Sequence, residues 1–228
     1  MKKALLILGI LLVSISNAQE NKHVPMINVS GEGKVKTAPD QALISISIET
    51  KGTKAAEVKQ ENDKKMDAIL KFIKKSNIAA EDFQTQRISL NPNYDYEKKK
   101  YSYIATQSVE ILLKDLSKYD TLMEGLVNEG INRIDNVEFK SSKLLQLQSD
   151  ARKLAIKDAK AKAEDFVSVL GQKVGKAIVI SDNSQTYNPQ PRMYAMKSMS
   201  MDKSESAPRE TLAIGEIEII ANVSVSFV

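Results

Sequence analysis

Apolar and polar positions recur along this chain with two distinct periods. Leu43 to Glu49 alternates, with Ile44, Ile46 and Ile48 on one side and Ser45 and Ser47 between them. Period two with β-branched residues predicts a half-buried strand. Met26 to Lys36 reads as an earlier strand with Ile27, Val29 and Val35 on its apolar side, and Pro39-Asp40 as a turn. From Thr53 to Lys75 the period lengthens: Val58, Met66, Ile69, Leu70 and Ile73 recur among Lys, Glu and Asp. That spacing predicts a helix with Thr53 as N-cap and Ser76-Asn77 as its stop. Phe83 to Leu90 returns to strand, interrupted by Asn91-Pro92-Asn93, and Tyr101 to Leu113 is the next strand. The two are expected to form a long hairpin around Lys98 to Lys100. A second helix runs from about Ser117 to Asn128, with Ser117 and Asp120 in a capping-box arrangement and Gly130 at its end. Ile131 to Ser141 is a further strand.

The order from Leu43 to Ser141 is strand, helix, strand, strand, helix, strand. This is a ferredoxin-like βαββαβ unit, an α+β fold with helices on one face of an antiparallel sheet. The longest helix follows, from about Lys143 to Leu170. In it Ala151, Ala155, Ala159 and Ala163 recur every four residues. Such a row of small side chains lets a helix lie close to what it covers. Gly171 and Gly175 close it, Ala177 to Ser181 is a short strand, and Thr211 to Val228 alternates as a long one, giving a C-terminal strand pair. Between them, Asn183 to Arg209 has no burying period and reads as a mobile polar loop holding Met193, Met196, Met199 and Met201.

The N-terminus changes the picture from fold to compartment. Lys2 and Lys3, the apolar run Ala4 to Val13 and the small residues Ser16-Asn17-Ala18 form a three-part secretory leader, with cleavage expected after Ala18. The run is about ten residues, and a membrane-spanning helix takes about twenty. Residues 19–228 are then expected to form a single domain without a transmembrane segment. The chain contains no cysteine, so neither a lipid-modified Cys nor a disulfide staple is available, and a chain of this length can bury a core without one. Lys and Arg number 33 against 29 Asp and Glu, and the two signs are interleaved rather than gathered in a basic stripe, which argues against a nucleic-acid partner.

Three stretches resemble the SIMPL-domain family, a domain of unknown function. Val29-Ser30-Gly31-Glu32-Gly33 with Pro39-Asp40-Gln41-Ala42 is similar to its opening strand and turn. Ala151-Arg152 through Gly171 is similar to its alanine-rich helix, and Gly215-Glu216-Ile217-Glu218 with the alternation after it to its closing strand. The resemblance implies an exported protein, periplasmic or associated with the outer membrane. Some members are immunogenic, some are linked to oxidative stress, and some resemble subunits of ring- or channel-like assemblies. It implies no catalytic residues and no cofactor.

The candidate chemistry is sparse. Gly31-Glu32-Gly33 is not a phosphate loop, because position 36 is Lys36 and no helix follows; a bulge or a close backbone approach in a strand explains it better. His23 is the only histidine, which removes a zinc site or a His-based triad. Ser, Lys, Asp and Glu residues carry no distinctive local signature, so no enzyme is expected. Met193, Met196, Met199 and Met201 are soft-metal candidates for copper, or targets of oxidants, weighed against an adaptable apolar contact. Tyr94, Tyr96, Tyr101 and Tyr103 lie on the lysine-rich hairpin, where they either meet a glycan or protein partner or pair across the strands. The expected function is a non-enzymatic envelope protein that forms homo-oligomers and supports envelope integrity or stress tolerance. It would use the hairpin and the long terminal strand for edge contacts. The alternative is a periplasmic binding protein for copper, a glycan or a peptide.

Overall fold

The structure, a computed structural model, describes residues 25–184 and 214–228. The leader, His23 and the four methionines lie outside the described residues. Strands β1 (Ile27–Thr37) and β2 (Gln41–Gly52) are followed by helix α1 (Ala55–Lys75), the hairpin β3 (Phe83–Asp95) and β4 (Lys100–Leu113), and helix α2 (Tyr119–Asn128). Then come β5 (Arg133–Lys140), helix α3 (Leu144–Ser168), β6 (Ala177–Asp182) and β7 (Ile217–Phe227).

Among the described residues two antiparallel sheets result. The four-stranded one has the order β3-β4-β2-β5, which is the βαββαβ arrangement expected from the alternation of periods. The three-stranded one has the order β1-β7-β6. The strand before the βαββαβ unit therefore joins the C-terminal pair, and β7 lies in the middle, not at an edge. The expectation that the terminal strand offers a free edge is corrected by this pairing: Ile27 to Thr37 take up one side of β7 and Ala177 to Asp182 the other.

Each sheet is covered on one face. Ile44, Ile46 and Ile48 of β2 and Val109 and Ile111 of β4 bury against Met66, Ile69 and Ile73 of α1. Helix α3 lies over β1 and β7, and the alternating Ile217, Ile219, Ala221, Val223, Val225 and Phe227 of β7 are all buried. The alanine row is the reason α3 can sit so near. Ala151, Ala155, Ala159 and Ala163 have no exposed surface, and the first three face Gly31 and Gly33 of β1. A Cβ on Gly31 would lie 2.0 Å from the Ala155 carbonyl oxygen, and one on Gly33 2.0 Å from that of Ala151. The glycine pair is thus a backbone-to-backbone contact, as its sequence suggested. Buried side chains of both sheets belong to one connected cluster.

Two helix starts differ from expectation. Helix α1 begins at Ala55 with Lys54 at the N-cap and no side-chain cap, so Thr53 does not cap it. Ahead of α2, Asp115 rather than Ser117 is the capping acceptor. Its carboxylate takes the Ser117 N–H at 3.1 Å and opens a short 3₁₀ turn, Leu116–Lys118. Gly130 ends α2 at φ 108°, as expected. The Asn91-Pro92-Asn93 stretch does not break β3, which runs through it. Proline is tolerated there because β3 is the last strand of its sheet.

The junction between the sheets is tied by Asp40. Its carboxylate accepts from the Ser142 hydroxyl and from the Ser142 backbone N–H at 2.7 Å. The serine hydroxyl, then its N–H and the charge of Lys143, hold the Asp40 carboxyl below its ordinary value of 3.8. A carboxyl lowered on folding stabilises above its unfolded pKa and loses that contribution as pH falls through the folded one. Replacing Asp40 with Asn is therefore expected to give a shallower loss of thermal midpoint between about pH 4 and pH 2 than the parent shows. Parallel acid melts check this, and identical slopes would contradict it.

Candidate functional site

The β3–β4 hairpin is where the fold leaves large side chains uncovered. In β3 the period-two positions Ile88, Leu90, Pro92 and Tyr94 fall on one face. Their partners across the ladder are Gln107, Ala105, Tyr103 and Tyr101. Gln107 and Ala105 are buried, and the Gln107 amide donates to Asp63 of α1 at 2.6 Å. This is the face that α1 covers. The helix sits over β2 and β4, however, and the stripe on β3 lies beyond its reach. Ile88 is 68% exposed, Leu90 40%, Tyr101 61% and Tyr96 84%.

The hairpin's far end is ordered by its own side chains. Tyr94 packs on Tyr101 across the strands with ring centroids 4.9 Å apart, and on Tyr96 edge-on at 5.0 Å. Both readings of the tyrosines thus have a part in the geometry. Tyr94 and Tyr101 form a cross-strand pair, and the outer surfaces of Tyr101 and Tyr96 still face solvent. Tyr103 is half-buried and stands opposite Pro92. Asp95 turns the chain by accepting the backbone N–H groups of Lys98 (3.0 Å) and Glu97 (3.1 Å). The Lys98 N–H is the main reason its carboxyl is held below the ordinary range. Lys99 takes a left-handed conformation at φ 50°, and the lysine run Lys98 to Lys100 sits at the tip.

A second concavity lies where α1 ends beside α2. It is a groove of about 690 Å³ lined by Phe72, Ile78, Leu113 and Leu122, with Lys114 paired to Asp82 at 2.7 Å on its wall. The Asp82 hydrogen bond raises the Lys114 ammonium above its ordinary value. Among the described residues no three His, Cys, Asp or Glu side chains converge as metal ligands would.

Sequence reasoning found the tyrosines but missed Ile88, Leu90 and Pro92. The signal was present as a run of even-numbered positions ending in Tyr94. The interruption read at Asn91 to Asn93 concealed that these residues share one strand and one face.

Comparison with known proteins adds the family. The SIMPL family, described as a protein of unknown function (DUF541), matches residues 27–227. The chain belongs to this family. SIMPL relatives of similar length include the uncharacterised protein YggE of Escherichia coli strain K12. It is 27% identical over 215 residues, covering 93% of this chain and 86% of that protein. The 26 kDa periplasmic immunogenic protein of Brucella melitensis is 27% identical over 222 residues, covering 92% of this chain and 88% of its own. A more distant similarity is to the human interleukin-1 receptor-associated kinase 1-binding protein 1, 21% identical over 176 residues, or 74% of this chain and 64% of that one. Among the described residues no helix is long and apolar enough to cross a membrane.

Proposed function

We propose that this SIMPL protein is an exported, non-catalytic component of the cell envelope that works by protein contact. It resides in the periplasm or against the outer membrane, associates with copies of itself, and supports envelope integrity or tolerance of oxidative stress. The observation that carries the reading is the stripe Ile88–Leu90–Tyr94 with Tyr101, an apolar and aromatic surface on the part of the sheet face that α1 does not reach. Contiguous exposed apolar surface of this kind marks sites of association. Two relatives lend support through their names: the Brucella protein is called periplasmic, and the human one is called a binding protein of a kinase. The exposed Tyr96 and Tyr101 also favour a second reading, in which the hairpin binds a glycan or peptide presented in the same compartment.

The first reading is tested by the solution mass of the exported protein. Light scattering is expected to show mass rising above the monomer with concentration. Replacing Ile88 and Leu90 together with Lys is expected to weaken association by about tenfold or more, since each removes a large apolar contact of about 1 kcal/mol or more. A monomer at every concentration would overturn the reading.

A further inference from the structure

The sheet edges in this fold are not treated alike. The outer side of β1 is closed by α3: the Glu32 N–H donates to the Asp158 carboxylate at 2.8 Å, and Lys162 donates to the Ser30 carbonyl at 3.1 Å. Beyond the start of β5, the Asn132 side chain takes the place of a strand, accepting the Glu49 N–H at 2.9 Å and donating to its carbonyl at 2.8 Å. Folded proteins blunt strand edges in this manner because an open ladder recruits another chain. Strand β3 has thirteen residues, ends its sheet with no strand beyond it among the described residues, and is exposed along most of its length. Its only charged side chain before the closing Asp95 is Arg87.

We infer that β3 is the interface strand, pairing antiparallel with β3 of a second copy about a two-fold axis at Ser89. This rests on the self-association proposed above and names its geometry. Three observations meet at Ser89. First, β3 is interrupted twice, by the bulge between Thr85 and Arg87 and by Pro92, which has no N–H to give. Gln86 and Pro92 stand the same number of residues from Ser89, so the regular segment Arg87 to Asn91 is symmetric about it. Second, this register sets Ile88 opposite Leu90 of the second copy and Leu90 opposite its Ile88. The two most exposed aliphatic side chains of the strand then cover each other on the face α1 leaves bare. Third, Glu81 and Asp82, the latter paired to Lys114, precede β3, and Lys98 to Lys100 outnumber Asp95 and Glu97 at its far end. Antiparallel pairing carries the acidic end of one strand toward the basic end of the other, whereas parallel pairing would set like charges side by side. A two-fold contact of this kind is self-complementary and closes as a pair.

The absence of native cysteine makes the register readable by single substitutions. Ser89→Cys, Arg87→Cys and Asn91→Cys variants of the full chain are exported, purified and exposed to mild oxidation. A disulfide forms where Cα atoms come within about 4.4–6.8 Å. Ser89→Cys is expected to cross-link with itself. Arg87→Cys alone and Asn91→Cys alone are expected not to, since each lies about 13 Å from its symmetry mate at the usual strand rise. An equimolar mixture of those two, one carrying a size tag, is expected to give the mixed dimer. Unchanged thermal midpoints of the reduced variants show that they fold. If the protein associates by mass yet Ser89→Cys stays uncross-linked, or Arg87→Cys links to itself as readily as to Asn91→Cys, another surface carries the association and this interface is wrong. A monomeric mass at all concentrations removes the interface and the self-association reading together.

Discussion

Replacing Gly31 or Gly33 with alanine is expected to destabilise the protein by about 3–5 kcal/mol each, among the largest effects a single methyl can have. The cause is geometric. At Gly31 a Cβ would meet the Ala155 carbonyl oxygen at 2.0 Å and the Ala159 nitrogen at 2.6 Å; at Gly33 it would meet Ala151 oxygen at 2.0 Å and Ala155 nitrogen at 2.5 Å. These neighbours are helix backbone and cannot rotate away as a side chain would. Either α3 lifts off β1, opening gaps along Ala151, Ala155, Ala159 and Ala163, or the strand bends out of its pairing with β7. For a domain of this size the thermal midpoint should fall by roughly 10 °C or more. Gly130→Ala is the control. It has φ 108° but nothing within 4 Å of a new Cβ, so it bears only backbone strain, about 1–2 kcal/mol. Thermal or urea melts that rank Gly130→Ala level with the other two would refute the close-contact account.

Asn62→Asp is expected to cost about 3–5 kcal/mol near neutral pH. Asn62 is fully buried on the sheet-facing side of α1, and its amide nitrogen donates to the Thr50 hydroxyl and the Ala105 carbonyl, both at 3.1 Å, and to the Ile48 carbonyl at 3.3 Å. Its side-chain oxygen has no partner. The residue acts as a donor that ties the helix to β2 and β4 at once. A carboxylate of nearly the same shape turns that donor into a buried charge facing carbonyl oxygens. Burial and those carbonyls push the new carboxyl's pKa up in the folded state. A raised folded pKa means the native state holds its proton longer, so stability falls as pH rises from the unfolded pKa through the folded one. The variant's deficit should therefore be smallest near pH 4 and grow toward neutrality. Asn62→Leu, which keeps the branched outline at a larger volume and carries no charge, should lose less. Denaturant melts at pH 4 and pH 7 check this; a pH-independent deficit, or Leu worse than Asp, would contradict it.

The elements that could be read from the chain are those whose own residues decide them. The Ile44–Ile46–Ile48 alternation, the alanine row and the alternation from Ile217 to Phe227 each state which side is buried, and the fold agrees. The glycines at 31 and 33 and the alanines at 151 and 155 were legible separately as close-approach signals, yet nothing local joins them. That β1 pairs with β7, and that β7 is central, depends on which strands meet after the chain doubles back. A strand's pattern does not encode its neighbour. The capping residues failed for a related reason: Thr53 and Ser117 have suitable side chains, but β2 runs on to Gly52 and a 3₁₀ turn precedes α2, moving each helix start by a residue or two. The stripe at Ile88 and Leu90 was illegible because exposure depends on how far a helix on the same face extends. That is set by the packing of α1, not by β3.

The pairing of Ile27 with Phe227 joins the first strand of the fold to its last. β1 precedes β7 by nearly the whole length of the fold, so β1, even with α3 laid over it, has no strand partner until Ile217–Phe227 is in place. Folding chains should thus pass through a half-assembled state, with the βαββαβ unit formed and the smaller sheet waiting. Loss of Ile217–Phe227 alone would strip out the middle of that sheet rather than trim its rim, leaving β1 and β6 on either side of a gap. Completion of the fold then comes down to whether β7 arrives.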